Sequence, residues 1–123
     1  MYKQVNQCLF RLKPPLSDPV IVHITEKKMY ENLIEFSSEK QKQLFEALTK
    51  DLWPGPLTTI LKANFKVLDK IVTAQTDYVG IRIPKETIAQ KLIQYSGLPI
   101  AAPSANLFAH VSPSQAHCVK NFQ

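Results

Sequence analysis

The segment from Val79 to Asn106 limits the fold more than any other part of the chain, because strand and helix patterns follow each other in it without a long loop. An apolar run around Arg82 predicts a strand, and Leu98–Ala102 predicts a second, buried strand. Between them Lys85–Tyr95 predicts a helix, and Gly97 is a typical C-cap residue. Strands and helices that alternate in this way are typical of α/β folds, in which ligands bind at strand ends.

The rest of the chain predicts a mixed α/β sheet with helices packed against it, in a single domain over residues 1–123. Apolar, β-branched runs predict two further strands, at Val20–Ile24 and Leu57–Leu61. Three further helices are predicted at Met29–Phe36, at Glu39–Leu52 with Ser37 or Ser38 as the N-cap, and at Pro113–Phe122. The second of these helices is expected to have one apolar face, formed by Leu44, Phe45, Leu48 and Leu52.

The composition narrows the class of protein without assigning a function. A chain of 123 residues that is 45% hydrophobic can bury one globular core, and no apolar run reaches the length of a membrane span. The first residues lack the apolar core of a secretory signal, so a cytoplasmic location is expected. The net charge of +5 favours an anionic partner such as a nucleotide, RNA or DNA, but a well-solvated lysine-rich surface explains it equally well.

The cysteines and histidines predict neither a disulfide nor a metal site. Cys8 and Cys118 lie far apart and neither belongs to a Cys-x-x-Cys pair, so two reduced thiols are expected. His23, His110 and His117 do not form a metal-binding pattern with them. Because the chain also has no glycine-rich phosphate loop, any nucleotide would need a different kind of site.

Arg82 is the strongest single candidate for binding a ligand. An arginine on a buried strand needs an anionic partner, either an internal carboxylate or the carboxylate or phosphate of a ligand. Ser104 and Asn106 follow the next strand and point to the same side of an extended segment, so both can reach one ligand. Ser112 precedes Pro113 at a predicted helix start and adds a hydroxyl and N–H groups that suit a phosphate.

A basic, proline-rich loop is the second candidate site. Arg11 and Lys13 lie beside this loop, Asp18 lies in it, and His23 ends the strand that follows. Two cations next to a rigid loop can hold phosphate oxygens, but a solvated basic loop would have the same sequence. His23 in an apolar strand favours a core or half-buried position over a role as catalytic base.

The sequence Trp-Pro-Gly-Pro-Leu-Thr at Trp53–Thr58 predicts a rigid corner. Two prolines around a glycine restrict the backbone and end the preceding helix. The large apolar surface of the tryptophan favours a packing role for this segment, with the ring in the core.

Together these motifs resemble the YrdC family of threonylcarbamoyl-AMP synthases. The family's hallmarks are a KxRPxxNPLxxH loop and strand, a WPGPLT corner, a VxxRxP strand, and a SAN segment followed by a Ser-Pro-Thr helix start. The corresponding segments of this chain follow in the same order, at Arg11–His23, Trp53–Thr58, Val79–Pro84, Ala102–Asn106 and Val111–Ala116. WPGPLT with a downstream SAN is a specific combination, and the resemblance covers nearly the whole chain.

The resemblance implies a twisted α/β (α+β) fold of the YrdC-like, or RibB-like, type, with a mixed sheet and flanking helices around a basic cavity. It implies that L-threonine, bicarbonate and ATP react to threonylcarbamoyl-AMP and pyrophosphate, a nucleotidyltransferase step in forming threonylcarbamoyladenosine in tRNA. Partner proteins would then transfer the threonylcarbamoyl group to tRNA. ATP would be a substrate, with Mg²⁺ bridging its phosphates.

The resemblance also implies a role for particular residues. His23, Arg82 and Ala102 would face threonine, with Arg82 pairing with its carboxylate. The phosphates and sugar of the nucleotide would contact a second set of residues, namely Arg11, Lys13, Asp18, Ser104, Asn106 and Ser112. No catalytic nucleophile and no metal ligand is implied, because such chemistry depends on positioning and charge neutralisation.

The chain departs from the family pattern in its first part. Counted back from His23, the family's lysine and arginine positions hold Leu12 and Pro14, and its asparagine position holds Asp18. The family's PT[DE]TxYGL segment has no counterpart in the sequence, which predicts a domain that is incomplete at its N-terminus. Three interpretations stay open: a synthase, a non-catalytic remnant that binds a nucleotide or double-stranded RNA, and one fragment of a split enzyme.

Overall fold

The structure is a computed structural model and describes residues 18–104. Its strands are β1 (Ile21–His23), β2 (Ile34–Glu35), β3 (Thr59–Ala63), β4 (Tyr78–Arg82) and β5 (Ile100–Ala102). Its helices are α1 (Lys27–Glu31), α2 (Glu39–Leu52) and α3 (Thr87–Ser96). None of the helices in this range is long and apolar enough to cross a membrane. The predicted mixed α/β fold is confirmed, while the predicted helix at Pro113–Phe122 lies outside the described residues.

The strands form one sheet in the order β2-β3-β4-β1-β5. β1 and β4 are parallel, and the other neighbouring pairs are antiparallel. A parallel pair needs a long crossover, and here α1, β2, α2 and β3 all lie between β1 and β4 in the chain. Backbone hydrogen bonds continue the pair beyond the strand ends, since Ile24 N donates to the Arg82 carbonyl at 3.0 Å. The carboxyl ends of β1 and β4 therefore lie side by side.

The hydrophobic core covers one face of the sheet. Along β4 the buried residues alternate, with Val79 and Ile81 inside and Gly80 and Arg82 on the other face. Val22 of β1 pairs with Ile81 and is also buried. An aromatic cluster adds to this core, with neighbouring ring centroids 4.9 to 6.5 Å apart; its members are Tyr30, Phe36, Phe45 and Trp53.

Helix α2 has the predicted bounds and one of the two predicted caps. The Ser38 hydroxyl accepts a hydrogen bond from Gln41 N at 3.1 Å, and the Gln41 side chain accepts from Ser37 N at 2.7 Å. This reciprocal pair satisfies amide groups that a helix start leaves without partners, much as a capping box does. Ser38 is therefore the N-cap.

The apolar face of α2 differs from the sequence-based expectation. Phe45 and Thr49 are the buried residues of this helix. The three leucines expected beside Phe45 are instead 44 to 61% exposed within the described part of the chain: Leu44, Leu48 and Leu52. Periodicity located the helix correctly, but it did not identify which part of the apolar stripe packs against the core.

The predicted helix at Met29–Phe36 is wrong in its second half. The helix α1 ends at Glu31, and Ile34–Glu35 forms the strand β2, which pairs with β3. Pairing with a neighbouring strand outweighs the weak local helix propensity of these residues. Strand β3 also begins at Thr59 rather than at Leu57, whose carbonyl accepts a hydrogen bond from the indole of Trp53 at 2.8 Å.

Candidate functional site

Three polar residues, Thr58, Arg82 and His23, form a row across the sheet face opposite the core, where β1 and β4 end. We call this the polar row. The parallel register places His23 opposite Arg82, and the antiparallel register places His23 opposite Ile100. Residues in register on neighbouring strands point to the same face, so the guanidinium and the imidazole lie next to each other. The carboxyl ends of parallel strands are the usual position of ligands in α/β folds.

Arg82 is held by Thr58, which directly precedes the neighbouring strand β3. Arg82 Nε donates a hydrogen bond to Thr58 Oγ1 at 2.8 Å. Among residues 18–104 no carboxylate forms an ion pair with Arg82; the salt bridge seen there joins Lys62 and Glu35 at 3.6 Å on the surface. The sequence left open whether Arg82 pairs with an internal carboxylate or with a ligand anion. The described part of the chain contains no such carboxylate partner, so a ligand anion is the remaining alternative.

The corner at Trp53–Thr58 fixes the position of Thr58. Trp53 packs its ring in the core and its Nε1 donates to the Leu57 carbonyl at 2.8 Å, while Gly55 N donates to the Ile83 carbonyl at 2.9 Å. The second bond joins the corner to the residue that follows Arg82. A side chain at Gly55 would overlap the Leu52 carbonyl oxygen, so only glycine fits there. The predicted packing corner therefore also positions the polar row.

His23 is half-buried beside this cation and is held in its neutral form. Burial lowers the pKa of His23 below 6.5, and the positive charge of Arg82 lowers it further, while backbone groups of Ile21 and Ile100 act weakly in the opposite direction. Its Nδ1 atom is buried and has no hydrogen-bond partner within the described residues. A buried polar atom without a partner is rare, and it is often completed by a ligand or a water molecule.

Ala102, the third residue expected to face threonine, lies on the same face as this row. It pairs with Ile21, two residues before His23 on β1, so it lies one row away from the Arg82–His23 pair. Ser104 continues beyond β5 and is exposed, and Asp18 precedes β1 and is also exposed. Because β1 and β5 are antiparallel, Asp18 and Ser104 lie at the end of β1 that is remote from His23.

The remaining predicted site residues lie outside the described part of the chain: Arg11, Lys13, Asn106 and Ser112. Within residues 18–104 no group of three or more histidine, cysteine, aspartate or glutamate residues could hold a metal ion. The described part thus brings together the residues expected to bind threonine, but it contains only Asp18 and Ser104 of those expected to bind the nucleotide.

Comparison with known proteins identifies the family. The sequence profile of the Sua5/YciO/YrdC family, described as telomere recombination, matches residues 2–123. The chain belongs to this family. Curated relatives named threonylcarbamoyl-AMP synthase match 85% of the chain and 29% of their own length, at 41% identity in Pyrococcus abyssi and 45% in Bacillus subtilis. The chain therefore spans less than a third of the length of these curated relatives.

A solved structure of a family member has the same fold. The crystal structure of P. abyssi Sua5 in complex with L-threonine matches 98% of this chain and 34% of the Sua5 chain, with 37% sequence identity and a TM-score of 0.83. The YrdC-like fold implied by the sequence motifs is thus confirmed.

Thr58 is a residue of this site that the local sequence does not predict. Its surroundings in the sequence predict a packing corner and indicate no contact with Arg82. The signal is a long-range one: continuing the register of Thr59 with Ile81 by one residue places Thr58 opposite Arg82. Such a contact requires the strand pairing, which no local pattern shows.

Proposed function

We propose that this chain binds L-threonine as part of a threonylcarbamoyl-AMP synthase. The observation that carries the proposal is the Arg82 guanidinium, which is oriented by Thr58 and has no carboxylate partner among residues 18–104. P. abyssi Sua5, whose fold this chain shares, has been crystallised with L-threonine, which supports an amino acid as the ligand here.

Arg82 binds the threonine carboxylate in this proposal. With Nε bonded to Thr58, the two terminal amino groups are left to form a bidentate pair with a carboxylate. Such a pair fixes the orientation of the amino acid as well as its position, so the amino group can be directed towards bicarbonate.

His23 contributes a neutral imidazole next to this carboxylate position. Because its pKa is lowered, the ring carries no charge at neutral pH, and one nitrogen can accept a hydrogen bond from the ammonium or hydroxyl group of threonine. The partnerless Nδ1 atom is consistent with such a contact. Ala102 lies one row away from the Arg82–His23 pair, and its single methyl group takes up little of the room that a bound threonine would need.

The proposed reaction joins three substrates. The threonine nitrogen bonds to the bicarbonate carbon with loss of water and forms a carbamate. An oxygen of this carbamate then bonds to the α-phosphorus of ATP, which releases pyrophosphate. ATP and its Mg²⁺ would lie at the other end of β1, near Asp18 and Ser104, together with Arg11, Lys13, Asn106 and Ser112. Mg²⁺ would bind together with ATP and neutralise charge on its phosphates.

The wider role proposed is the formation of threonylcarbamoyladenosine in tRNA, in the cytoplasm, with partner proteins that accept threonylcarbamoyl-AMP. A second candidate function is a non-catalytic module that binds a nucleotide or double-stranded RNA. The net charge of +5 favours it.

The experiment is calorimetric titration of the whole chain with L-threonine, followed by an assay of pyrophosphate release from ATP with threonine and bicarbonate. Threonine binding that is lost in Arg82→Ala but kept in Lys85→Ala, an exposed cation next to the same strand, would support the proposal. Pyrophosphate release would extend it to the full reaction. Binding of ATP or RNA without any threonine binding would instead support the second candidate.

A further inference from the structure

We propose that Thr58 is a positioning residue that restricts Arg82 to one mode of carboxylate binding. An arginine can bind a carboxylate through its two terminal amino groups, or sideways through Nε and one amino group. The hydrogen bond from Arg82 Nε to Thr58 Oγ1, at 2.8 Å, occupies the donor needed for the sideways mode. The ligand carboxylate is then left with the other, end-on mode, in which it binds both terminal amino groups. This inference rests on the proposed binding of threonine.

The position of Thr58 is set on both sides, by a side-chain hydrogen bond to the residue before it and by strand pairing of the residue after it. Before it, the Leu57 carbonyl accepts from Trp53 Nε1 at 2.8 Å, and after it Thr59 pairs with Ile81 in the sheet. The Arg82 end is tied as well, because the Ile83 carbonyl accepts from Gly55 N at 2.9 Å. The backbone segments that carry the Thr58 hydroxyl and the Arg82 guanidinium are therefore hydrogen-bonded to each other before and after this contact.

The side chain of threonine suits this role for a further reason. Its β-branched carbon restricts rotation about χ1, so the hydroxyl loses little freedom when it accepts the hydrogen bond. Thr58 is also half-buried, as is Arg82, so water competes less for the hydrogen bond than on an open surface.

The neighbouring threonine provides a matched control. Thr59 is half-buried like Thr58, but it pairs with the buried Ile81, so it points to the opposite face of the sheet. Its hydroxyl donates a hydrogen bond to the Ile81 carbonyl at 3.4 Å, whereas Arg82 Nε donates to Thr58. A change at Thr59 therefore tests the cost of losing a threonine hydroxyl from β3 without disturbing the guanidinium.

The test compares Thr58→Val, Thr58→Ser and Thr59→Val in the whole chain, titrated with L-threonine and with L-threoninol, which lacks the carboxylate. Thr58→Val is expected to weaken L-threonine binding about tenfold and to leave L-threoninol binding unchanged. Thr58→Ser, which keeps the hydroxyl, and Thr59→Val should bind L-threonine within about twofold of the unaltered chain. Equal losses for both ligands, or full affinity in Thr58→Val, would overturn the proposal.

A second measurement does not depend on any ligand. The Arg82 Nε–H signal in a nitrogen–proton NMR spectrum, assigned by its loss in Arg82→Lys, should exchange slowly with water in the unaltered chain and in Thr58→Ser. Exchange should become faster in Thr58→Val. If the unaltered chain binds no threonine, the proposed function fails while this comparison still tests the positioning of Arg82. An Nε–H exchange rate that Thr58→Val leaves unchanged would refute the positioning role.

Discussion

His23 and Arg82 lie opposite each other on the parallel strands β1 and β4, on the sheet face away from the core. The arginine has no ion-pair partner among residues 18–104, and its charge helps to keep the histidine neutral. A fixed cation next to a neutral acceptor can recognise a carboxylate and a nearby donor group at the same time, which are the two polar features of an amino acid.

The neutral state of His23 predicts how stability depends on pH. Its pKa in the folded chain is lowered below 6.5, so below that pH the unfolded chain binds more protons than the folded chain. The contribution of His23 to stability is therefore fully present above pH 6.5 and is lost as the pH falls towards the lowered pKa. Urea unfolding of the unaltered chain and of His23→Gln, at about pH 7.5 and about pH 5.5, should show a larger loss of stability in the unaltered chain. The same pH dependence in both proteins would contradict this assignment.

Replacing Arg82 with lysine should separate the effect of charge from that of geometry. Lysine keeps the positive charge but cannot form the planar, bidentate pair with a carboxylate. We expect Arg82→Lys to weaken L-threonine binding about tenfold, and Arg82→Ala to weaken it further. Calorimetry with both variants measures the difference. If lysine supports full affinity, recognition at this position requires only a charge.

Replacing Gly55 or Gly97 with alanine should lower the free energy of unfolding by different amounts. Gly55→Ala should lower the free energy of unfolding by about 2 kcal/mol or more, because the added Cβ overlaps the Leu52 carbonyl oxygen, which is backbone and cannot rotate away. Gly97→Ala should cost about 1 kcal/mol, because Gly97 has φ of 66° but open space around it. Urea denaturation of the two variants tests the order, and a smaller effect at Gly55 would show that the corner can shift.

Phe45 and Leu44, which are neighbours on α2, should differ sharply in their contribution to stability. Phe45 is 3% exposed and contacts three aromatic rings, whereas Leu44 is 61% exposed. Phe45→Ala should reduce the free energy of unfolding by about 3 to 5 kcal/mol. Leu44→Ala should change it by less than about 0.5 kcal/mol. Thermal and urea unfolding measure both, and a large effect at Leu44 would show that the exposed leucines are covered in solution.

Local patterns in the chain were sufficient for the fold class and for the extent of α2 with a serine N-cap at Ser37 or Ser38, and they marked Arg82 as a candidate ligand-binding residue. These features depend on residues close together in sequence: a helix period, a cap four residues long, a charge within an apolar run. The motif spacing also identified the family, because a rigid corner and the strands around it recur in a set order.

Contacts between distant segments were decided by the tertiary structure alone. Ile34–Glu35 became a strand because β3 lies beside it, and the exposed leucines of α2 look the same in sequence as buried ones. The partner of Arg82 was a threonine from the packing corner rather than a carboxylate, since strand register brings Thr58 opposite it. Register and side-chain burial arise from pairing across the sheet, and that pairing joins residues whose separation along the chain carries no local signal.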